Sequence, residues 1–210
     1  MPATAKKDNS TARRNVGLRL ALLRELEARG TAPIVMETHG GWGYLGRHCY
    51  AEAEAGVVFE KDPLRAAKLA MARPTWAVYE CDCAVGLMAG AGATFDVTFL
   101  DVDPYGEPWP ALEAFFASER PRPSVLAVAV NDGLRQKLRQ GGGWNVASMA
   151  AVARQYGNAA LHDSYLEICR ELLESKAARA GYRLDRWTGY YTGHLDEMTH
   201  YGAIFTGGVS

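Results

Sequence analysis

The sequence is short of several things, and each shortage closes off a class of protein. Its four cysteines (Cys49, Cys81, Cys83, Cys169) form no Cys-x-x-Cys pair and no zinc-type spacing, so reduced thiols are expected rather than a metal knuckle or a disulfide framework. No apolar run is long enough to span a bilayer and no secretory segment is visible, which predicts a soluble, cytoplasmic protein with no membrane partner. An excess of one charge is missing too. With a formal net charge of −1, a broadly basic surface is excluded, and any nucleic acid must be met through a local patch. No internal repeat, Ser/His/Asp set or phosphate loop is seen, and His162, His194 and His200 show no metal spacing. What the chain has is 48% hydrophobic residues over 210 positions, enough to bury one substantial core. A flexible amino-terminal segment over 1–14 and a single domain over 15–210 are expected, with oligomeric state left open.

Strand-like and helix-like segments alternate. Asn15 reads as the cap of a first helix reaching Arg29, with Val16, Leu20, Leu23 and Leu26 on one face. Apolar runs at 33–37, 56–60, 76–80, 95–102 and 124–130 read as buried strands. Helical stretches at 44–55, 63–72, 84–89 and 109–118 separate them. A polar, basic segment follows over 134–145, then helices at 146–156 and 160–180 and two last strands at 182–187 and 201–206. The alternation predicts an α/β fold with a doubly wound parallel sheet. Right-handed crossovers would bring the carboxyl ends of its strands to one edge, so Glu37, Glu60, Asp82, Asp103 and Asn131 should line one crevice.

Gly41-Trp-Gly43-Tyr-Leu-Gly46 follows the first strand, and Glu60 closes the second. Glycines let a backbone turn tightly beside a ligand, and an acid at the next strand end can hold a ribose. That much also fits a nicotinamide dinucleotide. Glu37 ahead of the glycines suits an amino group, and Asp82 suits an adenine amine; a pyrophosphate needs neither. The series Glu37…Gly41-x-Gly43, Glu60, Asp82, Asp103-Pro104-Tyr105 resembles the ordered motifs of class I methyltransferases over residues 33–133. The resemblance implies a Rossmann-like sheet of seven mostly parallel strands ending in an antiparallel hairpin, with S-adenosyl-L-methionine as cofactor. It places cofactor contacts at Glu37, His39, Gly41, Gly43, Glu60, Asp82, Cys83 and Asp101. His39 stands where that family carries its first glycine.

Phe95-Asp-Val-Thr-Phe-Leu-Asp101-Val-Asp103-Pro104-Tyr105-Gly106 runs from an apolar strand into two acids and a turn. Asp103-Pro104-Tyr105 resembles the Asp-Pro-Pro-Tyr motif of enzymes that methylate exocyclic amines of bases. Asp-Val-Asp-Pro-Tyr-Gly-Glu-Pro is closer to the Asp-Leu-Asp-Pro-Phe-Gly-Ser-Pro of tRNA guanine dimethyltransferases. An aniline-like amine is a poor nucleophile because its lone pair is delocalised. Hydrogen bonds to the Asp103 carboxylate and the Pro104 carbonyl would localise it, while Tyr105 stacks on the base. Asp101 is expected across the strand from Asp103, in support. The tRNA enzymes carry a further carboxyl-terminal domain, so within these residues phosphate contacts are expected from Arg135, Lys137 and Arg139, with Trp144 beside them. The partner implied is nucleic acid, RNA before DNA. A nicotinamide-dependent oxidoreductase and a non-catalytic binding subunit remain open as competing readings.

Overall fold

The computed structural model describes residues 10–104, 106–139, 147–193 and 196–207, with side chains omitted at 10, 11, 138, 139 and 147–149. The element order is α1 (Ser10–Ala28), β1 (Val35–Glu37), α2 (Tyr44–Cys49), β2 (Gly56–Phe59), α3 (Pro63–Ala72), β3 (Ala77–Tyr79), α4 (Cys83–Met88), β4 (Phe99–Val102), α5 (Trp109–Ala117), β5 (Val125–Asp132), α6 (Leu134–Arg139), α7 (Ala147–Asp163), α8 (Tyr165–Arg179), β6 (Tyr182–Thr192) and β7 (Met198–Gly207). They build a seven-stranded sheet in the order β3-β2-β1-β4-β5-β7-β6. The first five strands are parallel, and β7 runs antiparallel between β5 and β6. A dinucleotide-binding sheet instead continues 3-2-1-4-5-6. The antiparallel hairpin inserted here sets this sheet apart from it.

The strands of the sheet's centre are apolar throughout because helices cover both faces. On one face Val35, Val58, Phe99, Ala127, Ala129 and Ile204 meet Leu18, Leu22 and Leu26 of α1, Leu45 of α2 and Leu69 of α3. On the other, Met36, Val57, Leu100, Val102, Val128 and Val130 lie under α4, α5 and α8. Strand alternation therefore sends odd-numbered residues of β1, β4 and β5 to the α1–α3 face.

Several elements differ from expectation: α2 ends at Cys49, short of 55, and β4 begins at Phe99, not at 95. Helix α1 starts at Ser10 rather than beside Asn15, which lies inside the helix and is buried. The basic segment after β5 opens as a helix, α6. The hairpin strands β6 and β7 are each longer than their apolar cores, because main-chain pairing continues through polar positions such as Thr192↔Met198. Two helices follow as expected, but their boundary is shifted: α7 runs past 156 to Asp163, interrupted by Gly157 at φ 78°, ψ 160°, and α8 begins at Tyr165, not at 160.

Candidate active site

The carboxyl edge of the sheet collects the acids as anticipated. Glu37 ends β1, Glu60 and Asp103 directly follow β2 and β4, Asp82 precedes α4, and Asn131 and Asp132 close β5. The loop after β1 is held close over β2: Gly40 N–H donates to the Phe59 carbonyl at 2.9 Å, and Gly43 N–H to the Gly40 carbonyl at 2.9 Å. Gly41 and Gly43 adopt φ of 53° and 71°, the left-handed region that favours glycine. Gly40 is required for another reason, which its sequence position did not reveal. A Cβ there would sit 2.5 Å from Val58 and 2.6 Å from Leu69. His39 replaces a glycine without strain, since Asp196 is the sole non-glycine residue with positive φ among those described.

Glu60 ties this turn to the next strand. Its Oε2 accepts from Gly41 N–H at 2.7 Å and its Oε1 from Asp62 N–H at 2.8 Å. Beside it Thr38, His39, Glu60, Cys81, Asp82 and Cys83 border a recess of about 60 Å³. The His39 Nδ1 lies 2.8 Å from Thr38 Oγ1, and its Nε2 reaches to 3.7 Å from Cys83 Sγ, narrowing the recess. Burial lowers the His39 pKa, which favours a neutral ring, and pushes the Cys83 thiol up to about 12. Asp82 caps α4: its Oδ1 accepts from Ala84 and Val85 N–H at 3.0 and 3.2 Å.

Asp103 is met from β5. Asn131 Nδ2 donates to Asp103 Oδ1 at 2.6 Å, while Asn131 Oδ1 is buried with no partner among the described residues. Gly133 N–H donates to the Gly106 carbonyl at 2.8 Å, which fastens the Asp103-Pro104 turn to the end of β5. Gly106 itself has φ 129°. Tyr105 and Trp144 lie outside the described residues, as does the side chain of Arg139.

Several expectations need correction. Asp101 does not lie across the strand from Asp103, because residues two apart share a face. Its carboxylate is 1% exposed and engaged by Arg19, with Nε–Oδ2 at 2.9 Å and Nη2–Oδ1 at 2.5 Å, and by the Tyr50 hydroxyl. It faces inward to α1 and α2, where those side chains take up both of its carboxylate oxygens. Burial raises the Asp101 pKa against the pull of Arg19, whose own pKa burial lowers but Asp101 lifts further, leaving it well above the ordinary value. Glu37 is likewise covered, 3% exposed and paired with Arg73. Burial pushes it up to about 7 while Arg73 opposes. Arg135 does not face phosphates either. It is buried, its guanidinium donates to the carbonyls of His162 and Asp196, and it sits 3.9 Å over the Tyr191 ring. Lys137, half-buried, stands on α6.

Sequence reasoning missed Arg19, Tyr50 and Arg73. One signal was available: Asn15, Leu18, Arg19, Leu22 and Leu26 all fall on the buried stripe of α1. An arginine on an apolar stripe demands a buried acid.

No family model and no curated protein matches the chain. Solved structures do. Trm1 from Pyrococcus horikoshii, in complex with S-adenosyl-L-methionine, superposes with a TM-score of 0.66 at 16% identity, over 93% of this chain and 56% of that one. The N-methyltransferase NodS from Bradyrhizobium japonicum WM9, in complex with S-adenosyl-L-homocysteine, gives 0.57 at 13% identity, over 96% and 89% of the two chains. A candidate RNA methyltransferase, PH1948 from Pyrococcus horikoshii, gives 0.53 at 12% identity, over 92% and 85%. The fold is thus that of the S-adenosylmethionine-dependent methyltransferases. This chain spans little more than half the length of the Trm1 it resembles.

The residues of this recess that could meet the adenosine half of such a cofactor are Glu60, Asp82 and Cys83, with Lys61 also on its border. Acidic Glu60 and Asp82 flank it, and the glycine turn brings backbone to its rim.

Proposed function

We propose that the chain is an S-adenosylmethionine-dependent methyltransferase acting on an exocyclic amine of a nucleobase, with guanine N2 in tRNA or another RNA as the target. The observation that carries this reading is the Asp103–Asn131 pair at 2.6 Å, held at the carboxyl ends of adjacent parallel strands on the same edge as the recess. The likeness to Trm1 supports the cofactor, and that to PH1948 supports an RNA substrate.

When bound, S-adenosylmethionine supplies a methyl group on a sulfonium. Glu60 would hold the ribose hydroxyls, and Asp82 and Cys83 would stand beside the adenine. The amine donates one hydrogen bond to Asp103 and a second to the Pro104 carbonyl, which turns its lone pair out of the ring plane. Asn131 fixes the Asp103 carboxylate so that no side-chain freedom must be lost when the base arrives. A base inside a helix must first leave its stack, so unpaired positions are preferred. Tyr105 supplies a stacking face worth about 1–3 kcal/mol.

The test is transfer of labelled methyl to total tRNA, ribosomal RNA and DNA, with nucleoside analysis of the product. Labelled N2-methylguanosine in RNA is expected. Asp103→Ala should slow transfer by about 10²–10³-fold while cofactor affinity, read by calorimetry, is retained. Full activity in Asp103→Ala would sink the mechanism. Binding of NAD in place of S-adenosylmethionine would overturn the whole reading.

A further inference from the structure

Between α2 and α3 lies a cleft of about 690 Å³. The glycine turn contributes to both concavities, Thr38 and His39 to the recess, Trp42 and Gly43 to the cleft. Four cations line the cleft, Arg47, Arg65, Lys68 and Arg73, and no acidic residue does. Arg73 is neutralised by Glu37. Arg47, Arg65 and Lys68 form no ion pair among the described residues. On a protein whose formal charge is −1, three uncompensated cations in one concavity are a local feature and not a reflection of overall charge.

Their arrangement is specific. Arg65 and Lys68, one turn apart on α3, both converge on the Trp42 ring, at 5.1 and 4.5 Å from its centroid. Arg47 reaches up from α2 to donate to the Trp42 carbonyl at 2.9 Å. Like charges one helical turn apart repel, and the ring's quadrupole offsets only part of that cost. Arg65 Nε is buried and has no partner among the described residues. Trp42 leaves 53% of its surface in water, an unusual position for so large an apolar ring. A donor without an acceptor, paired cations without an anion and an exposed indole are together completed by a phosphodiester chain. Its phosphates take the cations, and a neighbouring base takes the ring.

We propose that this cleft binds the phosphodiester backbone of the acceptor RNA, with Arg47, Arg65 and Lys68 on phosphates and Trp42 against an adjoining base. The identity of the RNA as acceptor rests on the function proposed above; the cleft itself does not. The phosphate-binding role that the sequence assigned to Arg135 on α6 thus passes to α2 and α3, beyond the glycine turn.

The experiment is fluorescence anisotropy of a labelled tRNA transcript across a salt series, with wild type and the triple variant Arg47→Gln/Arg65→Gln/Lys68→Gln. The variant should bind about tenfold or more weakly, and the slope of log Kd against log salt should fall by about 2, as expected for three lost phosphate contacts. Affinity for S-adenosylmethionine, read by calorimetry, should not change. If the triple variant melts early, Lys68→Glu at an exposed helix position carries the same test. Unchanged affinity and slope overturn the proposal, as does failure of wild type to bind RNA. Inorganic phosphate or AMP competing as tightly as the transcript would make the cleft a small-anion site and overturn it as well. Tighter binding of the matching DNA strand would overturn the RNA assignment. Transfer to RNA with an unchanged slope in the variant rejects the cleft alone. Cleft-dependent RNA binding with no methyl transfer rejects only the function proposed for Asp103.

Discussion

His39 stands where the methyltransferase motif that the sequence resembles carries a glycine. Its backbone has ordinary φ, so a glycine there is not a conformational requirement. The difference lies in the side chain, whose ring spans from Thr38 to within 3.7 Å of Cys83 and takes up space in the recess. On the function proposed above, a cofactor seated in that recess would displace the ring and break its contact with Thr38. His39→Gly should therefore tighten S-adenosylmethionine binding by roughly fivefold, about 1 kcal/mol, in calorimetry. Weaker binding would mean that the imidazole is itself a ligand contact. The Arg19–Asp101 pair is the other residue-scale commitment. Removing one partner of a buried pair strands the other charge, whereas the intact pair only balances its own desolvation. It joins β4 to α1, with the Tyr50 hydroxyl on the same carboxylate.

At the scale of elements, the turn between β1 and α2 is shaped by two different demands on glycine. Gly41 and Gly43 are needed for their left-handed backbone. Gly40 is needed for clearance, as its missing Cβ would collide with Val58 on β2 and Leu69 on α3. Both neighbours are buried core side chains and have little room to yield. Gly40→Ala should cost about 1–3 kcal/mol, lowering Tm by several degrees, and weaken cofactor binding because the turn must lift from β2. A Gly40→Ala protein with wild-type Tm and affinity would show that the turn is free to shift. Helix α6 illustrates the reverse case. A basic run reads as a solvated loop or phosphate grip, yet Arg135 uses its charge to gather carbonyls from the end of α7 and the β6–β7 connection.

Across the whole molecule, Asp132 is the point where β5, α8 and β7 are joined. Its Oδ1 accepts from Leu134 N–H at 2.8 Å, and its Oδ2 from the Tyr165 and Tyr201 hydroxyls at 2.9 and 3.3 Å. It is wholly buried, and burial pushes its pKa up to about 7 despite those donors. The unfolded chain holds this proton only to near pH 4, so between pH 4 and 7 the folded state binds more protons. Stability from this group is therefore complete below pH 4 and is lost as pH rises through 7. Asp132→Asn mimics the neutral acid. Relative to wild type it should gain stability from pH 5 to pH 8, by roughly 2–3 kcal/mol, measured by urea denaturation. A constant difference across that range would show that Asp132 is ionised throughout.

Much of this was legible without coordinates. Apolar runs separated by helices determined the five parallel strands, and α3 falls at the expected 63–72 because Asp62 and Pro63 mark its start on local grounds alone. That Glu60, Asp82, Asp103 and Asn131 share one edge also followed from the sequence, since crossover handedness leaves no alternative. Which of the acids face the crevice did not. Glu37 and Asp101 stand at strand ends like the others, but they are claimed by Arg73 and Arg19, whose partners lie far along the chain and leave no local pattern. The same holds for Arg135 and for the cations gathered around Trp42. The spacing of residues sets where a side chain begins. Only packing between distant elements decides what its charge will meet.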